Sequence, residues 1–236
     1  MSDRRRAPPA RWGDRTGGDW GMRSRWAVAL LLVAACNGES EAEPTTTTTT
    51  TTTSYGHIEE RYEGEGPEVV VLGDSLTVHS REALRKALDG YSVKVGAMVG
   101  EGLSGGPWSS FVGYPIMPTT ARSYAKDDPA VAVLALGTND AWSSGLSLPA
   151  AQEAWRAMTS EFASSCIVGV TVTESTTAAN YSIEEARGIN ALMLADSDQV
   201  VDWRQRADVT APDGIHLTEQ GREVRAEEIR DAVEAC

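Results

Sequence analysis

Ser75 stands in Gly73-Asp74-Ser75-Leu76, directly behind the apolar run Val69-Val70-Val71-Leu72. A serine hydroxyl is a weak nucleophile until a histidine takes its proton and a carboxylate orients that histidine. Asp213-Gly214-Ile215-His216 offers both partners three residues apart, where one short loop ahead of a helix can present them. The chain holds three histidines. His57 lies in a polar stretch. His79, one helical turn past Ser75, has no carboxylate spaced to orient it and reads as a solvent-facing helix residue. His216 is therefore the candidate base, Asp213 its orienting acid and Ser75 the nucleophile of an acyl transfer. A third polar signature, Gly137-Thr138-Asn139-Asp140, again follows an apolar run, residues 131–136. Singly, each tetrapeptide reads as an ordinary turn. In order, and each at an element boundary, they read as one site assembled from several loops. Asp74 reads as a structural residue fixing its turn, and Asp140 as support for the Asn139 loop. No Cys/His cluster has metal-ligand spacing, so neither a metal nor a cofactor is expected.

The elements that must position these residues alternate. Strands are expected at 69–72, 92–97, 131–136, 167–172 and 199–202, with helical patterns at 81–88, 149–162 and 186–195 and after Thr218. Pro149 suits a first helical turn. Ser182-Ile183-Glu184-Glu185 is a capping box, and Thr218 can cap a last helix carrying Val224, Ile229 and Val233. Alternating strands and helices imply a parallel sheet covered on both faces, here a three-layer α/β/α sandwich around five parallel strands. Ligands of such sheets bind outside the carboxyl ends of the strands, where all three signatures fall. Residues 96–113, rich in glycine, read as loop.

The three blocks resemble those of the SGNH hydrolases, the GDSL esterase and lipase family, over residues 67–236. That resemblance implies a flavodoxin-like fold and ester hydrolysis through an acyl-Ser75 intermediate. It also implies an oxyanion hole built from the backbone N–H groups of Ser75 and Gly100 and the side-chain amide of Asn139. The family's second block is a glycine after the second strand, for which Gly96, Gly100 and Gly102 compete. Gly100, in Val99-Gly100-Glu101-Gly102, is the choice, since a residue without a side chain leaves its N–H open to a substrate oxygen. Val200-Val201-Asp202-Trp203, ahead of Asp213, also resembles SGNH domains appended to bacterial membrane acyltransferases.

The first part of the chain is of a different kind. Seven arginines stand against three aspartates before Cys36, whereas from Cys36 onward acids outnumber bases, 31 to 14. Residues 26–35 are an uncharged apolar run, too short to span a bilayer and suited to a signal-peptide core. Val33-Ala34-Ala35-Cys36 resembles a bacterial lipobox, which implies a signal peptide over 1–35 and a lipidated Cys36 as mature N-terminus; the plainer alternative is an ordinary secretory leader. Met22-Arg23-Ser24-Arg25 has the shape of a leader start, so 1–21 read as a start-site extension. Residues 36–66, with nine consecutive threonines at 45–53, cannot bury a core and are expected to be a disordered tether. The expected setting is thus the bacterial cell envelope, with the domain exported and lipid-anchored to the outer face of a membrane. Cys166 and Cys236 then remain for one disulfide, or for two free thiols. A net charge of −13 excludes a phosphate-backbone partner such as nucleic acid.

The substrate expected is a small-molecule or glycan ester. Two phenylalanines and no long apolar lid favour short or polar acyl groups over triglyceride. Trp108, Phe111, Tyr114 and Trp142 fall in expected loops, as platforms for a sugar ring or as plain loop anchors. Two rivals remain at this stage. In one, an O-acetyltransferase passes the acyl group of Ser75 to a hydroxyl of a cell-wall or extracellular glycan. In the other, a surface binding protein keeps the fold without the activity.

Overall fold

Val69, Val70, Val71 and Leu72 are all fully buried, which one strand can achieve only if both faces of its sheet are covered. The computed structural model describes residues 48–52, 56–103, 117–142 and 148–236. Its elements run β1 (Thr48–Thr52), β2 (His57–Tyr62), β3 (Glu68–Gly73), α1 (Ser75–Ala87), β4 (Ser92–Met98) and α2 (Met117–Ala125). They continue with β5 (Val131–Ala135), α3 (Thr138–Trp142), α4 (Leu148–Glu161), β6 (Cys166–Val170), α5 (Ile183–Asp196), β7 (Gln199–Val201), a 3₁₀ turn (Ala207–Val209) and α6 (Glu219–Glu234). The chain divides into Met1–Glu43, which lies outside the described residues together with Cys36 and the leader, and a unit Pro44–Cys236.

The seven strands form one sheet in the order β1-β2-β4-β3-β5-β6-β7. The five expected strands are its parallel part, β4 to β7 with β3 and β5 at the centre. Successive residues of β3 serve opposite layers. Val70 and Leu72 pack with Trp155, Met158, Phe162, Ile189 and Met193, beneath α2, α4 and α5. Val69 and Val71 pack with Leu84, Leu88, Ile229 and Val233, beneath α1 and α6. The expected caps are present: Ser182 Oγ accepts from Glu185 N at 3.2 Å, and Thr218 Oγ1 accepts from Gly221 N at 3.0 Å.

The sheet begins earlier in the chain than its hydrophobic pattern indicates. Residues 57–62, assigned above to a disordered tether that ends at residue 66, form β2 and pair antiparallel with β4, from His57 opposite Met98 to Tyr62 opposite Val93. The threonines of β1 pair in turn with β2, Thr48 opposite Tyr62 and Thr52 opposite Ile58. The inward row of β2 is Ile58, Glu60 and Tyr62, all buried. A glutamate in the middle of that row breaks the apolar alternation, and the phenol of Tyr62 makes it tolerable by donating a hydrogen bond to the Glu60 carboxylate. Two helices were also not expected, α2 and α3, short segments without a long apolar period.

Cys166 opens β6, Cys236 follows α6, and the two form a disulfide with Cα atoms 5.9 Å apart. The bond closes 70 residues of sequence and fixes the free end of α6 to the sheet. In the chain-entropy description a closed loop of that size stabilises by about 4 kcal/mol. Cys236→Ser should accordingly lower the melting temperature by roughly 8–15 °C, read by calorimetry without reductant. Dithiothreitol should produce the same shift in the parent chain and none in the variant.

Candidate active site

The nucleophile candidate is set where β3 stops and α1 starts. Asp74 is the N-cap of α1, its Oδ1 accepting from Leu76 N at 2.9 Å. Ser75 is consequently the first helical residue, and its N–H is one of those that a helix leaves without an internal acceptor. The helix dipole adds partial positive charge at the same place. Gly73 permits the close approach of helix to strand, because a Cβ there would come within 2.0 Å of Thr77 Oγ1.

The base reaches Ser75 from the other end of the chain. Ser75 Oγ and His216 Nε2 are 3.4 Å apart, a long contact of the kind that tightens when substrate binds. His216 Nδ1 lies 2.7 Å from Asp213 Oδ2. The other oxygen, Asp213 Oδ1, accepts from Ile215 N at 3.0 Å and His216 N at 2.9 Å, so the loop itself fixes the carboxylate. Partial burial would raise the pKa of Asp213. The two amides and the imidazole outweigh it and hold the carboxyl below its ordinary value. Ser75, His216 and Asp213 thus stand in the order that a nucleophile, a base and an orienting acid would need.

Two further loops meet at this edge. Gly100 follows β4 in a left-handed conformation, φ +80°, which glycine adopts without strain. Gly96, a rival for that role, lies inside β4 paired with Glu59 and Leu72 and is spent on the sheet. Asn139 Nδ2 donates to the carbonyl of Glu101 at 2.7 Å, and Asp140 Oδ2 accepts from Leu103 N at 2.7 Å. The loops after β4 and β5 are therefore laced together, and the Asn139 amide faces the backbone next to Gly100. Asp140 supports this loop pair, as expected of it.

His79 is exposed as expected, but not remote. Its ring centroid is 5.6 Å from that of His216, tilted by 54°. Burial, then the neighbouring His216 and Arg222, lower its pKa, so it is a neutral neighbour at pH 7. Past His79 an open groove of about 790 Å³ runs between α1 and α6, lined by side chains such as Arg81, Glu82, Lys86, Arg222 and Glu223. Trp142 ends α3 half-buried, whereas Trp108, Phe111 and Tyr114 lie outside the described residues.

Sequence reasoning missed the group beneath the nucleophile. Arg225, on α6, is 2% exposed, and Asp74 is fully buried. Burial raises the pKa of Asp74, and the Arg225 charge is the strongest influence pulling it back. The signal was present: Arg225 occupies the apolar stripe of α6, with Gly221, Ala226, Ile229 and Val233.

No family model matches the chain, and no curated protein matches it by sequence. Solved structures do. A member of the lipolytic G-D-S-L family from Veillonella parvula has a TM-score of 0.55 at 15% identity, covering 72% of this chain and 99% of that one. A GDSL-like lipase from Parabacteroides merdae has 0.52 at 13%, covering 73% and 98%. TesA has 0.51 at 16%, covering 71% and 98%. At such identities the likeness is one of fold, and the three-layer SGNH fold is the fold of this chain.

Removing the charge that opposes Asp74 should be costly. Arg225→Met is expected to destabilise by about 3 kcal/mol at pH 7, as for other buried charges left alone. Without Arg225 the folded-state pKa of Asp74 rises further, so the folded form holds its proton longer than the unfolded chain does. The loss should therefore grow as pH rises from 5 to 8. Urea melts at both pH values read it, and Asp74→Asn in the Arg225→Met background should recover part of the loss.

Proposed function

We propose that this chain is a serine ester hydrolase of the cell envelope, cleaving acyl or acetyl esters through an acyl-Ser75 intermediate. The observation that carries the proposal is the Ser75–His216–Asp213 relay, at 3.4 and 2.7 Å, on the carboxyl edge of an SGNH-type sheet. His216 takes the proton of Ser75 as the hydroxyl attacks the ester carbonyl, and Asp213 steadies the imidazolium that forms. His216 then gives the proton to the departing alcohol. Water, deprotonated by the same imidazole, releases the acid from Ser75. The amides of Ser75 and Gly100 and the Asn139 side chain are the donors for the tetrahedral oxyanion.

The leaving alcohol sits on the side of the group that protonates it, next to His216 and His79. The groove beyond His79 carries both signs of charge, with Val78 and Ala83 its apolar side chains. That favours a polar alcohol such as a sugar over a glycerolipid. The lipobox-like Val33-Ala34-Ala35-Cys36 supports export and a lipid anchor on Cys36, with the threonine run spacing the domain from the membrane.

The test is an ester assay on purified protein with short and long acyl nitrophenyl esters and with acetylated sugars. Ser75→Ala should abolish turnover with the fold intact by circular dichroism, and His216→Ala should cost nearly as much because the two act as a unit. Asn139→Ala should lower kcat by about 10²–10³ with little change in KM. His79→Ala should cost far less than His216→Ala; the reverse order would refute the assignment. For the anchor, Cys36→Ser should move the protein from the membrane to the soluble fraction of the envelope.

A further inference from the structure

Glu101 sits between Gly100 and Gly102, in the loop whose amide is a proposed oxyanion donor. It is fully buried, and among the described residues no side-chain donor reaches its carboxyl oxygens; the backbone amide of Met117 is the one group that favours its charged form. A buried carboxylate with so little to compensate it is among the most costly groups a fold can hold. Its own backbone is occupied with the site: the carbonyl takes the Asn139 amide at 2.7 Å, and the N–H donates to Met98 O at 3.2 Å. Anything that displaces this residue therefore moves Asn139 and Gly100 together.

The surroundings offer little to balance a negative charge. A cavity of about 120 Å³ adjoins Glu101. From β2 it is faced by His57 and Glu59, whose side chains are 3.8 Å apart. From α2 it is faced by Met117 and Thr120, and from β4 by Gly96 and Met98, none of them charged. From α3 comes Asp140, 2% exposed and held against the same loop, since a Cβ on Gly102 would meet its Oδ2 at 2.6 Å. Burial lowers the pKa of His57, so it brings no fixed positive charge at pH 7.

We propose that Glu101 is a positioning residue for the oxyanion donors, seated in its neutral form and unseating the Gly100 loop when it ionises. This rests on the ester-hydrolase reading above. Buried carboxylates on two facing loops repel, and because Asp140 is held to the same turn through Leu103 N, the repulsion bears on the short stretch 100–103 that carries Gly100 and Glu101. The proton lost goes to solvent, and the displaced loop takes the Gly100 amide and the Asn139 anchor away from the oxyanion. Burial, and next the charge of Asp140, push the Glu101 carboxyl up to about 7, with the Met117 amide opposing them. The change therefore falls within the working range of an enzyme of this kind.

The experiment compares the pH profiles of the parent chain, Glu101→Gln and Glu101→Leu, with a nitrophenyl ester as probe. In the parent, kcat should fall about tenfold by pH 8, one unit past the midpoint, with KM little changed. In both variants that alkaline limb should be gone, while the profile below pH 6 keeps the parent's shape. A purely structural role would lower activity at every pH and leave the shape alone.

Melting temperatures give a reading independent of activity. A carboxyl whose folded-state pKa is raised stabilises the fold below its unfolded value near 4.5, and that advantage is lost as pH rises toward 7. The parent should thus lose stability between pH 5 and pH 8 relative to Glu101→Gln. An unchanged alkaline limb in either folded variant would overturn the proposal, as would parallel stability curves. So would failure of both neutral variants to fold at pH 8 where the parent folds. A parent inactive on every ester, with the expected stability curves, would refute the hydrolase reading and leave the ionisation of Glu101 standing.

Discussion

Asp74 carries a carboxylate with no surface exposed, directly before the proposed nucleophile. Much of the site depends on how that group is satisfied. One oxygen closes the N-terminus of α1, which sets Ser75 as the first helical residue with its N–H turned outward. The charge is answered from α6, by an arginine equally withdrawn from water. The element that carries Arg225 begins three residues after His216. The loop before α6 thus holds His216, and the helix itself places Arg225 near the turn of Ser75. Because both charges are buried, the arrangement has few alternatives: displacing either partner leaves the other without compensation.

The remaining devices keep α6 and the sheet edge in register with each other. The disulfide holds the last turn of α6 to the start of β6, so the helix is fixed at its far end as well as at Thr218. The loops after β4 and β5 are bound to one another by Asn139 and Asp140, and to the cap of α5 through Ser182 N and Ala141 O at 2.7 Å. That division has a chemical consequence. Ser75 opens α1 and His216 lies in the loop before α6, whereas Gly100 and Asn139 belong to a loop pair held together by buried polar groups. In the proposed reading, packing sets the approach of Ser75 and His216, and a polar network sets the oxyanion donors.

Much of the site was legible because its chemistry needs rare residues at element boundaries. With three histidines, only His216 had a carboxylate at loop spacing, and the apolar runs before Ser75 and Thr138 marked strand ends. The runs also declared a sheet buried on both faces, since no polar residue interrupts them. Illegible features were those in which a polar residue occupies an apolar place. Glu60 hid β2 and Arg225 hid its own role; Glu60 is met by Tyr62 two residues on along the same face, and Arg225 is balanced by the charge of Asp74, distant in sequence. Glu101 gave no signal at all, because a glutamate between glycines has the composition of any surface turn.

The sequence by itself determined the alternation of strands and helices, the three polar turns at strand ends and the candidates for nucleophile, base and acid. Those follow from local rules: hydrophobic period, capping and the residue types that proton transfer demands. Tertiary structure decided what local rules cannot see. It brought residues 75 and 216 to 3.4 Å, recruited a polar segment as an edge strand, and set Gly100 in a left-handed turn after β4 while Gly96 stays within the strand. It also buried Asp74, Glu101, Asp140 and Arg225 around the site. Burial is a property of the assembled layers, so the charge state of those four groups, and the steadiness of the site that rests on them, was settled only when the layers closed.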